Sequence, residues 1–502
     1  METGLLLIFL AFFFNLAATL SFFLAFRQKN PKIAEVAEIL IYSALALTTA
    51  AVILLVYYFL TDNFSLYYVY VNSQRAMSNI YKLSAIWAGK EGSLLLWNFF
   101  NLLVLSIFLS YGEKNLAKVK ASLLASGISS YLLFLLILTS NPFESLPTSP
   151  LDGVGMNPLL RTPEMIFHPP LVFLAYSLSI IPFAMHFVKF GDPYKYMRAA
   201  FIFLTLGIFL GGFWAYRTLG WGGFWGWDPV ENASLLPWLA MAAYIHSKNR
   251  SFFAYINFLF VILATFITRS GIISSVHSFS DGGGELYIVL IIFAGILAFK
   301  ELKGGFKDPC QASYIFSAMI IVVAMGTFAN LFFDVNRLYF LTTFIPLFAL
   351  LIFIVVFKIR MVKRRLLLHF GLILLFIGAL SVWGFEEGYT IELSPSAEVE
   401  GIQFVLKNIS LSEDAEKYTF TVQIESKVGN FSPKMYVYKT ERQNKVVSAV
   451  DIRSDFLKDY YVAVKSVDVN LKSAVINFYV VPLVSLVWLG AAVTFIGIIV
   501  KK

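Results

Sequence analysis

WGGFWGWDPVENASLLPW, residues 221 to 238, sets five aromatic side chains within eighteen positions: Trp221, Phe224, Trp225, Trp227 and Trp238. Gly222, Gly223 and Gly226 punctuate the run, and Asp228 stands directly before Pro229 with Glu231 close behind. Glycine beside indole gives a compact turn whose backbone can approach a flat ligand closely. Each indole offers a rigid apolar face and one N–H donor. Tryptophans near a membrane surface also form aromatic belts. A belt explains scattered indoles, but not this density, the glycine spacing or the acid–proline turn. Asp228 has two readings. It is the N-cap of a helix opening at Pro229, or a carboxylate that orients imidazole N–H donors or a partner surface. The Asp-Pro pair favours the cap.

The chain around this run is apolar: 502 residues, 58% hydrophobic and 14% charged. Such a composition belongs to an integral membrane protein. The net charge of +8 lies in short loops between apolar runs, which argues for membrane topology and against nucleic acid as a partner. Cys310 is the single cysteine, so the chain holds no disulfide framework, no thiol pair and no CxxCH haem-attachment site of its own. Walker, dinucleotide and HExxH motifs are absent from the sequence.

Thirteen runs come close to the roughly twenty residues that cross a hydrocarbon core. They lie near 4–26, 39–60, 93–111, 121–140, 165–188, 199–216, 233–247, 252–269, 285–299, 311–333, 338–357, 366–385 and 479–500. The first is read as a retained span, because no basic residue precedes it and it is too long for a signal core. Lysine and arginine favour alternate loops by about three to one. By the positive-inside rule the N-terminus and the tryptophan-rich loop are outside, and the C-terminus is cytoplasmic.

Residues 386–478 break the pattern. YTFTVQIE (418–425), KMYVYK (434–439) and DYYVAVKS (459–466) alternate as half-buried strands do. The expected architecture is therefore an all-α polytopic membrane protein of about 13 transmembrane helices, with a small extracytoplasmic β domain between the last two. Its divisions are a helical core at 1–385 with the outer loop at 217–238, the β domain at 386–478, and a final helix and tail at 479–502.

This topology sorts the five histidines. His168, in MIFHPPLVFLAY, and His277, in RSGIISSVHSF, fall at the depth of the aromatic run. Two neutral imidazoles facing each other across a porphyrin fill both axial positions on iron, with the aromatics covering the ring. A lone interfacial histidine is more often merely polar; two beside this loop favour ligation. His246, in YIHSKNR, and His369, in KRRLLLHFGLILL, fall near the opposite face. Ionisable residues within spans are costly and usually functional, so this pair is read as the ligands of a second, permanently bound b-type haem. His186 is a rival for either role, but Met185, Phe187 and Lys189 around it suit an interfacial residue.

WGGFWGWDPVENAS resembles the tryptophan-rich WWD signature of the haem-handling proteins of cytochrome c maturation, most closely the CcmF/NrfE haem lyase branch. IWAGKEGSLLLW (86–97), DGVGMNPLLRTPEMIFHPP (152–170), PKMYVYKTERQ and SDFLKDYYVAV are similar to stretches of the same branch. The likeness runs from about Ile80 to the C-terminus. The chain departs from the pattern at Phe224, where the branch has a third tryptophan, and at Gly226, where it has an aromatic. The resemblance implies that His168 and His277 are the outer, catalytic haem ligands. It implies that Trp221, Phe224, Trp225, Trp227, Asp228 and Trp238 bind the substrate haem, and that His246 and His369 hold the membrane b haem.

The activity implied is attachment of haem to apocytochrome c, in which two thiols of a CxxCH segment add across the haem vinyl groups. The implied partners are a CcmE-type haem chaperone that delivers the haem, apocytochrome c with its CcmH-type thiol-handling presenter, and quinol as a source of electrons. The implied place is the plasma (inner) membrane. Two other classes compete. A haem transporter should show inverted repeats and broken helices at mid-membrane, and no convincing repeat is present. A quinol-linked haem-binding electron carrier shares the ligands, which do not by themselves reveal thioether formation.

Overall fold

The computed structural model describes residues 3–112, 115–272, 284–303, 310–333, 335–357, 366–439, 446–470 and 472–500. His277, the basic run Lys358 to Arg365 and the terminal Lys501 and Lys502 lie outside the described residues. Among the described residues, ten helices are long and apolar enough to cross a membrane. They are α1 (Thr3–Gln28), α2 (Pro31–Leu60), α5 (Lys90–Ser110), α6 (Leu116–Thr139), α7 (Glu164–Phe187), α8 (Tyr194–Thr218), α10 (Arg250–Ser270), α12 (Gln311–Ala329), α13 (Arg337–Phe357) and α14 (Leu366–Phe385). The short helices α3 (Tyr67–Asn72) and α4 (Asn79–Ser84) lie in the connection before α5. The three other expected spans correspond to α9 (Pro229–His246), α11 (Ile288–Lys303) and α15 (Val484–Ile499), which fall outside the ten by length or composition. A multi-pass membrane protein follows.

The chain divides into two compact units. The first comprises Met1–Met156, Met165–Ile208 and Trp227–Leu347. Its helices start and stop by local chemistry. Asn30 caps α2 by accepting from the amide of Lys32, with Pro31 at the first helical position. Gly271 ends α10 in the left-handed conformation, φ 67°.

The second unit comprises Asn157–Glu164, Phe209–Gly226 and Phe348–Lys502. Its described strands make two antiparallel sheets, a four-stranded one and a five-stranded one. In the first, β1 (Glu387–Leu393) pairs β9 (Ser473–Pro482), which pairs β8 (Lys458–Asp468) and then β7 (Asp451–Ser454). In the second, β2 (Ser396–Val399), β3 (Ile402–Glu413), β4 (Lys417–Ser426), β5 (Lys434–Tyr438) and β6 (Val446–Ala449) follow in order. Alternate residues of both sheets, among them Ile391, Phe404, Val422, Ile424, Val462 and Phe478, share one apolar core. The three alternating stretches read from sequence lie in β4, β5 and β8.

One boundary differs from expectation. Residues 479–482 belong to β9, so the last helix opens at Val484. FYVV is apolar, two aromatic residues followed by two β-branched ones, and periodicity alone cannot tell such a short run from the start of a span. The register of β9 against β1 and β8 decides it. The α14–α15 pair is glycine-seamed: a Cβ on Gly371 would stand 2.4 Å from the Thr494 amide nitrogen, and one on Gly490 2.2 Å from that of Leu375. Small residues let the two backbones touch, as in close membrane helix pairs.

Candidate functional site

The unit boundary falls inside the aromatic run, between Gly226 and Trp227. His168, Trp227, Asp228, Trp238 and His246 belong to the first unit; Trp221, Phe224, Trp225 and His369 belong to the second.

In the first unit, His168 sits in the first turns of α7, ahead of Pro169 and Pro170. Pro169 has no N–H to return to the carbonyl four residues back, that of Met165. Trp87 supplies the missing donor: its indole N–H bonds the Met165 carbonyl at 2.8 Å. Thus the IWAGKEG and HPP stretches, far apart in sequence, complete each other. The His168 ring is fixed from α8, with Nδ1 lying 2.6 Å from the Gly207 carbonyl oxygen. A carbonyl only accepts, so Nδ1 carries the proton and Nε2 carries the lone pair. Gly207 permits the approach, because a Cβ there would meet Val172 Cγ2 at 2.7 Å.

His246 repeats the arrangement at the end of α9. Its Nδ1 donates to the Ala242 carbonyl at 2.8 Å, which again leaves Nε2 as the lone-pair nitrogen, and its ring lies 5.5 Å from that of Phe316. Haem-ligating imidazoles typically donate their other N–H to a carbonyl in this way, so the donor chemistry of both residues fits an iron ligand. His186 differs. The Tyr244 hydroxyl sits 2.9 Å from its Nε2 and the Ser251 hydroxyl 3.3 Å from its Nδ1, so both ring nitrogens are taken up by side chains. That agrees with its reading as a structural residue. His369 lies half-buried in the first turn of α14.

Trp227 is buried with φ +59°, a backbone region that L-residues with large side chains seldom enter. Its ring stacks on Phe340, centroids 4.8 Å apart and planes 5° apart, with Phe344 edge-on at 5.2 Å. The Asn232 side chain donates to the Trp227 carbonyl at 3.0 Å. Asp228 next to it forms a capping box: its carboxylate accepts from the Val230 amide at 2.8 Å, and Glu231 accepts from the Asp228 amide at 3.1 Å. The capping reading of Asp228 is therefore realised. Trp238 is an anchor between α8 and α9, donating to the Thr205 hydroxyl at 2.9 Å and packing 5.2 Å from Phe201.

In the second unit the run folds over itself. Cβ atoms on Gly223 and Gly226 would stand 3.2 Å and 2.7 Å from the Trp221 ring, so Trp221 occupies the side-chain space of Gly226. The Trp221 indole nitrogen is buried, with no hydrogen-bond partner among the described residues. Phe224 stacks on Trp383 of α14 at 5.8 Å and meets Trp488 of α15 edge-on at 6.0 Å. Trp225 packs at the margin of the same apolar cluster, which includes Tyr216, Tyr461, Val481 and Val487.

Sequence reasoning missed the residues that hold this loop. Gly222, at φ +80°, lies against the ring of Tyr479, and a Cβ there would come within 2.7 Å of it. The Tyr216 hydroxyl donates to Asp459 at 2.8 Å. Burial pushes the Asp459 carboxyl above its usual range, against the lowering effect of hydrogen bonds from Ser454 and Tyr216. Arg161, from the loop before the HPP stretch, pairs with Glu416 at 3.4 Å and covers the Tyr438 ring at 4.8 Å. These partners come from alternating strands, whose only sequence signal is that they are strands.

A sequence profile described as cytochrome C assembly protein matches residues 87–190 and 193–273. The cytochrome c-type biogenesis protein NrfE of Haemophilus influenzae is 33% identical over 445 residues, covering 74% of this chain and 69% of its own length. The cytochrome c-type biogenesis protein CcmF of the same organism is 39% identical over 308 residues, 55% of this chain; the match spans about half of the relative, 47%. A solved structure titled cytochrome c heme lyase CcmF superposes with a TM-score of 0.82, covering 99% of this chain and 98% of its own. At 19% identity that likeness speaks for a shared fold.

Proposed function

The chain belongs to the cytochrome c assembly family as a CcmF/NrfE-type cytochrome c biogenesis protein, and we propose that it is the subunit that joins haem to the CxxCH cysteines of apocytochrome c. The observation that carries this reading is the His168 ring, held at Nδ1 by the Gly207 carbonyl so that Nε2 is the unprotonated nitrogen, the tautomer an iron ligand needs. In the proposal the substrate haem is delivered by a CcmE-type chaperone to the aromatic run. His168 and His277 take its axial positions, and the CcmH-type presenter brings the peptide. Indole and phenyl faces of Trp221, Phe224, Trp225 and Trp227 contribute shape and exclude water; Trp238 and Asp228 hold the segment in place. Thiol addition to a vinyl group asks mainly for positioning, and effective molarities for aligned reactants reach roughly 10⁵ M or more. One imidazole must yield when the product's own histidine binds.

The resident b haem is part of the same proposal, with His246 and His369 as ligands carried over from the resemblance. Bound there, it would pass electrons, with quinol as their source, to keep the substrate haem reduced. The Nδ1–H donation of His246 to Ala242 supports its assignment, because it fixes the tautomer an iron ligand needs. Thirteen crossings, adding α9, α11 and α15 to the ten apolar helices, belong to the proposal as well. So does insertion in the inner membrane with the aromatic run outside.

The test is haem attachment to a CxxCH reporter in cells that lack their own lyase, read as haem retained by the reporter on a denaturing gel. Restored attachment that is lost with His168→Ala supports the proposal. A reporter that stays bare beside a well-folded, membrane-inserted chain, with all partner proteins present, would remove the lyase reading.

A further inference from the structure

In the second unit, the turn between β7 and β8 presents two large apolar side chains, Phe456 at 69% and Leu457 at 64% exposure. Turns ordinarily carry polar residues there. This one is stiff: the Asp455 carboxylate accepts from the Leu457 and Lys458 amides at 2.7 and 2.8 Å, and the Asp455 amide donates to the Lys458 carbonyl at 3.0 Å. Two more hydrogen bonds tie the turn to the beginning of α15. The Ser485 hydroxyl donates to the Phe456 carbonyl at 2.8 Å, and the Leu483 amide donates to the Leu457 carbonyl at 2.6 Å. The register of α15 on α14 then gives the depth. A Cβ on Gly378 would stand 2.9 Å from the Leu483 carbonyl oxygen and 2.7 Å from the Val487 amide nitrogen, so Leu483 is level with Gly378. From Gly378 the helix α14 continues for seven residues, to Phe385, which is about 10 Å at 1.5 Å per residue. Those residues, ALSVWGF, hold no charge, and Glu386 and Glu387 follow as the first polar boundary. The exposed turn therefore stands beside the last turns of an apolar helix of spanning length, and not beyond them.

We propose that this turn is a membrane anchor of the β region: Phe456 and Leu457 insert among the glycerol and upper acyl carbons of the adjoining leaflet, and lipid is the partner that covers them. The inference rests on the reading of α14 as a membrane span. Its neighbours suit an interfacial place. The Lys458 ammonium lies 5.1 Å from the centroid of the Tyr460 ring, and amphipathic side chains of both kinds settle at the boundary of lipid and water. Amides of the turn engage the Asp455 carboxylate, which lowers the cost of holding its charge near lipid. A water-soluble partner would have to enter the leaflet to reach the two side chains. Asp459 follows Leu457 by two residues and accepts the Tyr216 hydroxyl. The anchor thus holds against the bilayer the same strand end that holds the segment leading into the aromatic run.

The experiment uses the full chain in phosphatidylcholine nanodiscs, with Cys310→Ser removing the single native thiol. One cysteine at a time then carries a nitroxide label: Phe456→Cys, Leu457→Cys, Ile377→Cys or Asn470→Cys. Ile377, 43% exposed on α14, is the lipid reference. Asn470 is the water reference, exposed in the turn at the far end of β8, about 35 Å away at roughly 3.3 Å per residue. Electron paramagnetic resonance reads how often each label meets oxygen, which concentrates in lipid, and a nickel chelate, which stays in water. Labels at 456 and 457 should shift toward the oxygen-rich ratio of Ile377 and away from that of Asn470. Labels at 456 and 457 that match Asn470 overturn the proposal. Shielding from both reagents also overturns it, because protein and not lipid would then cover the turn. If Phe456→Cys does not fold, Leu457→Cys decides alone. A watery turn beside a lipid-immersed Ile377 sinks the anchor and leaves the membrane reading standing, whereas a watery Ile377 sinks both.

Discussion

The Tyr216 hydroxyl, near the end of α8, donates a 2.8 Å hydrogen bond to Oδ2 of Asp459 at the start of β8, although 243 positions separate them. The two rings Tyr216 and Tyr461 lie 5.4 Å apart in the same cluster, and Tyr479 backs Gly222. Within the second unit, the segment that leads into the aromatic run is thus shaped by the strands. The β region acts as a mould for the loop.

That relationship gives a pH dependence. Burial raises the Asp459 carboxyl, so the folded state holds this proton more tightly than the unfolded chain does. Its contribution to stability is full below the unfolded value of about 4 and is lost as pH rises through the higher folded value. Asp459→Asn keeps an acceptor for Tyr216 and removes the titration. Thermal unfolding of the two proteins should therefore diverge as pH rises from about 4, with the unsubstituted protein losing ground to the variant. Parallel curves would show that the carboxyl is not the titrating group.

A second expectation concerns Gly207. An alanine there meets Val172 at 2.7 Å and pushes α7 from α8 locally, lengthening the His168–Gly207 bond. Loss of such an orienting partner typically costs 10- to 100-fold at a metal ligand. Gly207→Ala should therefore lower haem attachment by about tenfold while circular dichroism and membrane insertion stay normal, and His168→Ala should abolish attachment. Full attachment in Gly207→Ala would show that the backbone bond does not set the ligand's orientation.

Much of this is legible in the amino-acid sequence alone. Long apolar runs at 4–26 or 366–385 can be little other than spans, and the alternation at 418–425 can be little other than a strand, because each period matches one backbone geometry. Asp228 before Pro229 read as a cap, and it is one. FYVV at 478–481 was misleading because a short apolar run fits both a strand and a helix start. The Tyr216–Asp459 bond and the Trp87 donor to Met165 left no trace in any local pattern. Nor could sequence tell which nitrogen of His168 carries the proton; that depends on a carbonyl brought in by another helix.

Asp228 invites a test that separates cap from chemistry. Asparagine caps as well as aspartate, whereas alanine costs about 1 kcal/mol. Asp228→Asn should match the unsubstituted protein in both melting temperature and haem attachment, and Asp228→Ala should lose stability first. Attachment that collapses in Asp228→Asn with stability intact would give the carboxylate a role beyond the capping box.

The glycine seam between α14 and α15 predicts where the second unit is least tolerant. Gly371, Gly378, Gly490 and Gly497 all present backbone to backbone; a Cβ on Gly497 would lie 2.3 Å from the Leu368 amide nitrogen. Here the obstacle is main chain and not the tip of a side chain, so it cannot rotate away. Replacing Gly490 with leucine must separate the helices, and with them Trp383 and Trp488, the two rings against which Phe224 packs. Overpacking of this kind costs about 1–3 kcal/mol or more. The expected result is a lower melting temperature together with a change in tryptophan fluorescence, which reports the loosened indoles. Leucine at Gly384, where a Cβ would meet nothing within 4 Å, is the matched control and should leave both unchanged. Equal effects at the two positions would mean that helix propensity or lipid contact, and not the seam, sets the cost.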